Sequence, residues 1–105
     1  MTTKIGSDYI SMDFLVQMEV LAQIDSGDEL LKKEAERARQ LAEAGILRRL
    51  WRVPGRRANW GIWVAQTTDE LHAALASLPL FPYLSITVHP LASHPNEPGR
   101  ITHQV

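Results

Sequence analysis

Apolar and polar residues alternate from position 12 to position 20, with Phe14, Val16, Met18 and Val20 on one face of an extended chain and Leu15, Gln17 and Glu19 on the other. A period of two marks a strand with one buried face, so this stretch predicts the first strand. The Asp25-Ser26-Gly27-Asp28 segment supplies turn and N-cap chemistry, and a run of good helix formers leads to Gly45, a natural C-cap. A helix over residues 28–44 follows. Two further strands are predicted at 47–53 and 58–65, broken by Pro54-Gly55-Arg56-Arg57, with Trp60, Ile62 and Val64 sharing one face. Thr67-Thr68-Asp69-Glu70 then opens a second helix, with Leu71, Ala74, Leu75 and Leu78 at helical spacing and an end near Leu78, ahead of Pro79 and Pro82. The last strand runs from Tyr83 to about His89, with Leu84, Ile86 and Val88 on one face, and Pro90 is expected to break it.

The element order β-α-β-β-α-β predicts an α+β fold of the ferredoxin-like type, with two helices covering one face of a four-stranded antiparallel sheet. The opposite sheet face then needs a cover. A second copy presenting the same face supplies one and closes a dimeric α+β barrel, so a homo-oligomer is expected.

Composition narrows the function classes. A chain of 105 residues has room for one domain. Eleven basic and twelve acidic residues give a formal net charge of −1, which offers no field for nucleic acid or an anionic membrane. The absence of cysteine excludes disulfides and thiolate chemistry and suits a reducing compartment. No leader-like segment and no run approaching about 18 apolar residues is present, so a soluble, cytoplasmic protein is expected.

Candidate chemistry comes from a few positions. On a helical wheel of about 100° per residue, Leu30, Leu31, Ala35, Ala38, Leu41, Ala42 and Gly45 fall within an arc of about 140°. Glu34 lies inside that arc, whereas Lys32, Lys33, Glu36, Arg39 and Glu43 fall outside it. A carboxylate aimed at the sheet either pairs with an arginine such as Arg49, or reaches water past its alanine neighbours, or serves as a general base with a pKa raised by burial. Asn59 shares a strand face with Gly61 and Trp63, where its amide either satisfies nearby backbone or donates to a developing oxyanion. The arginines of the second strand and its turn, Arg49 and Arg57 among them, can hold a carboxylate through their forked donors or form a solvated or interfacial face. His72, His89, His94 and His103 show no ligand spacing, so no metal site is expected. Trp51, Trp60 and Trp63 read as core or interface filling.

The segments LWRVPGRRANWGIW (50–63) and ELHAALASLPLFPYLSITVHPLASHP (70–95) resemble the muconolactone Δ-isomerase family, above all in the pairing of LWR-x-x-G-x-x-AN with LPLFPY. The resemblance begins at Met12 and runs to about Pro95. Residues 1–11 then form an extension, or follow an upstream start, and residues 96–105 form a flexible tail. It implies a ferredoxin-like protomer, barrel dimers gathered into a decamer, no cofactor, and a small lactone substrate: muconolactone converted to 3-oxoadipate enol-lactone in aromatic-compound catabolism. By the same resemblance Glu34 is the catalytic proton-transfer carboxylate and Asn59 the catalytic donor to the lactone, with Arg57, Trp60 and Arg49 as substrate-binding candidates. The family usually has tyrosine where this chain has Arg57 and Trp60. An arginine cannot act as a neutral hydroxyl donor, and its fixed charge favours an anionic group near the lactone. The alternatives are the same scaffold acting on another substrate, by chloromuconolactone dehalogenation or on another enolisable compound, and a non-catalytic binding or assembly module.

Overall fold

A computed structural model describes residues 11–21 and 27–99. The N-cap expected at Asp25-Ser26, most of the N-terminal extension and the last six residues of the tail lie outside the described residues. The elements are β1 (Met12–Val20), α1 (Gly27–Glu43), β2 (Leu47–Arg52), β3 (Ala58–Ala65), α2 (Thr68–Ala76) and β4 (Leu84–Leu91). All strand pairs are antiparallel and the sheet order is β2-β3-β1-β4, the split βαβ arrangement of the ferredoxin-like fold.

Alternation along β1 buries Phe14, Val16 and Met18 beneath the helices, and on β3 it buries Gly61, Trp63 and Ala65. These side chains meet Leu41 of α1, Leu47 of β2, Leu71, Ala74 and Leu75 of α2, and Leu78 of the following turn, in one apolar core. On α1 the inward row is Leu30, Glu34, Arg37, Ala38 and Leu41. Leu31, Ala35 and Ala42, expected within the buried arc, are exposed. A helix resting on one sheet touches it along a narrow seam, so residues at the rim of a wide apolar arc stay in solvent.

The helix ends explain the chain's changes of direction. After α1 the Ile46 N–H donates to the Leu41 carbonyl at 2.9 Å and the Gly45 N–H to that of Ala42 at 3.0 Å, while Gly45 takes φ +80°, the left-handed conformation that closes a Schellman motif. Thr67 caps α2 by accepting the Glu70 N–H at 3.0 Å, and Glu70 reaches back to the Gln66 N–H. α2 ends at Ala76, two residues before the expected position, and a 3-10 turn at Phe81–Tyr83 leads into β4.

One expectation about the strands is corrected, and one irregularity is found. Pro90 does not end β4, which continues to Leu91. β4 is an edge strand, and a proline is tolerated there because its missing N–H can face outward. β2 carries an irregularity between Leu47 and Arg49, so that Leu47 pairs with Trp63 but Arg49 pairs with Ile62. Simple alternation from buried Leu47 would turn Arg49 toward the helices; the added residue flips it to the other face.

That other face is open. It presents Leu15, Ile62 and Val64 together with Trp51 and Trp60, the two tryptophans being 46% and 47% exposed. No described helix is long and apolar enough to cross a membrane.

Candidate active site

The inward row of α1 places Glu34 between helix and sheet, half-buried. Its Oε1 accepts the Leu80 backbone N–H at 2.9 Å, which ties the carboxylate to the turn after α2. Burial pushes the Glu34 pKa above the ordinary glutamate value, and the Leu80 hydrogen bond opposes that shift without cancelling it. Glu34 therefore satisfies itself on backbone, not on an arginine. Arg49, offered as one possible partner, lies across the sheet with its guanidinium stacked 4.7 Å over Trp51.

Asn59 stands at the start of β3 on the helix-facing side, paired with Met18. Its Oδ1 is buried and has no hydrogen-bond partner among the described residues. The strand register puts Asn59 and the Leu80 turn at one end of the sheet. There Met18 is flanked by Asn59 and Ile86, the Val20 N–H donates to the Arg57 carbonyl at 2.9 Å, and the Leu21 N–H donates to that of Tyr83 at 2.8 Å. α1 enters from the same end, directly after β1, and Glu34 sits in its first half.

The candidates of the sequence thus divide into two groups. Glu34 and Asn59 share the helix-facing layer, and Arg57 is exposed in the turn one residue before β3. Trp60 and Arg49 belong to the open face, so one protomer does not bring them to Glu34. The open face carries a hollow lined by Gln17, Glu19, Arg56, Trp60 and Thr87. Its acid is committed: Arg56 donates to Glu19 at 2.5 Å, which holds the Glu19 carboxyl below its ordinary value and leaves no free base there.

One polar group in the inner layer escaped the sequence reading. Trp63, counted as filling, is 2% exposed, and its Nε1 is buried without a partner among the described residues. The signal was present in the alternation that places Trp63 on the face of Asn59, with a glycine between them.

The sequence family described as muconolactone delta-isomerase matches residues 12–97. The chain belongs to this family. Among muconolactone Δ-isomerases, that of Cupriavidus pinatubonensis is 42% identical over 89 residues, covering 81% of this chain and 97% of the relative. That of Pseudomonas aeruginosa is 36% identical over 89 residues, with 81% and 93% covered. The crystal structure of a muconolactone isomerase superposes with a TM-score of 0.76 at 37% identity, covering 82% of this chain and 94% of that one. The ferredoxin-like protomer expected of a muconolactone isomerase is the fold observed.

Proposed function

We propose that the protein is an isomerase that converts muconolactone to 3-oxoadipate enol-lactone, with Glu34 as the base. The reaction removes a proton from the ring carbon that bears the carboxymethyl arm and returns one to the carbon beside the lactone carbonyl. Between the two steps, negative charge spreads over a dienolate and onto the lactone oxygen. The chemistry asks for one carboxylate that takes and gives back a proton, plus donors that hold the oxyanion.

The observation that carries this reading is the half-buried Glu34, with its pKa raised by burial and its carboxylate anchored at one oxygen by Leu80. The anchored oxygen fixes orientation, and the other oxygen is the one that works on the proton. Asn59, whose Oδ1 has no partner among the described residues, donates its NH2 to the lactone carbonyl. Arg57, exposed in the turn two residues before Asn59, holds the substrate carboxylate. Arg49 and Trp60 belong to the sheet face that a second copy covers, and the working form is a homo-oligomer built on that face.

The test is to incubate the purified protein with muconolactone and with 5-chloromuconolactone and follow both by proton NMR. Conversion of muconolactone to the enol-lactone is expected. Release of chloride with no isomerisation of the plain lactone assigns the dehalogenase chemistry instead, and inertness toward both leaves a binding module.

A further inference from the structure

The indole of Trp63 is an unusual occupant of the inner layer. Buried tryptophan N–H groups normally find an acceptor, because leaving one unmade forfeits its hydration with nothing in return. This one has none among the described residues although the residue is only 2% exposed.

Its position is set by Gly61. A Cβ on Gly61 would stand 3.1 Å from Trp63 Nε1 and 2.9 Å from the Arg49 carbonyl oxygen, so the bare glycine makes the space into which the nitrogen edge of the indole leans. Gly61 is also the only residue between Trp63 and Asn59 on this strand face. The Trp63 N–H and the Asn59 Oδ1, both without a partner among the described residues, thus belong to one strand face with Gly61 between them, on the side of the sheet that also holds Glu34.

We propose that Trp63 Nε1–H donates a hydrogen bond to an acceptor oxygen of the bound lactone, beside the Asn59 amide, and so sets which substrates the site accepts. The inference rests on the lactone reading of the site given above. A lactone carries only acceptor oxygens, so a donor-only indole suits it, whereas a ligand presenting only a donor at that depth, such as an ammonium group, would leave the indole unanswered. Removing a donor from such a pair strands the ligand oxygen against an apolar ring edge.

The experiment replaces Trp63 by 3-benzothienylalanine, which keeps the shape of the indole and puts sulfur in place of N–H, with Trp63→Phe as a second variant. Two readouts are taken: kcat/KM on muconolactone, and the indole proton resonance of Trp63 in nitrogen-15-labelled protein titrated with the saturated lactone-acetic acid. That resonance is assigned by its loss in Trp63→Phe. We expect the isostere to melt like the unmodified protein, to lose about 100- to 1,000-fold in kcat/KM, the scale of one donor to a developing oxyanion, and the resonance to move downfield on saturation. Undiminished kcat/KM in the isostere, or a resonance that saturating ligand leaves in place, overturns the role of Trp63 while the isomerase reading stands. A resonance that moves in a protein that does not isomerise muconolactone keeps the donor and overturns the reaction. No turnover together with no movement overturns both.

Discussion

Glu34 illustrates how far a single residue can be read. Helical periodicity was enough to separate it from Glu36 and Glu43, which spend their charge on Arg39 in exposed pairs. Periodicity could not name its partner, because the Leu80 N–H comes from 46 residues away along the chain. The raised pKa has two consequences of defined sign. The base form of Glu34 accumulates at higher pH than that of an ordinary glutamate, so the acid limb of kcat/KM against pH is expected to have its midpoint above the ordinary glutamate value. The folded state also holds this proton more tightly than the unfolded chain does. Stability from Glu34 is therefore complete below the unfolded value and is lost as pH rises through the folded one. Chemical denaturation of wild type and Glu34→Gln across this window checks it: the wild type should lose stability relative to the glutamine variant as pH rises, and parallel curves would show that burial leaves the carboxyl unperturbed. Trp63 illustrates the opposite limit. Its face was legible from alternation, but its missing partner is a fact about all its neighbours at once.

At the scale of elements, every strand and helix was legible, because alternation, capping residues and Pro-Gly punctuation all act locally. What escaped are features that depend on neighbouring strands. Pro90 remains in β4 because β4 has a free edge, and the irregularity in β2 turns Arg49 away from Glu34. Strand β3 is the element where structure and site are most tightly joined, since Asn59, Gly61 and Trp63 form one row. Gly61→Ala tests that row. The added Cβ would come to 2.9 Å from a backbone oxygen that cannot swing aside, so the strands or the indole must shift. A destabilisation of about 1–3 kcal/mol is expected, the usual range for overpacking. It should show as a lower midpoint in urea with an altered near-ultraviolet tryptophan spectrum. An unchanged midpoint and spectrum would mean that the indole does not lean over Gly61.

The whole molecule has one covered sheet face and one bare one. Trp51, Trp60, Leu15, Ile62 and Val64 on the bare face form an apolar surface that a chain of 105 residues gains by burying. A second copy offering the same face would do so with two-fold symmetry, and light scattering at micromolar concentration should find a dimer or a multiple of it. Trp60→Glu is expected to shift the population toward smaller species, because it buries a charge at that seam. A folded monomer in the unsubstituted protein would remove the barrel from the account.

The central claim is that this member of the muconolactone Δ-isomerase family moves a lactone proton with Glu34. The measurement that meets it most directly is the turnover of muconolactone by wild type and by Glu34→Gln, with both melts recorded alongside. Glutamine keeps the shape and its side-chain oxygen can still accept the Leu80 N–H, but it cannot take a proton. The account predicts conversion by the wild type and a loss of at least about 100-fold in kcat with the fold intact, the scale of a missing general base. Equal turnover by the two proteins would contradict it.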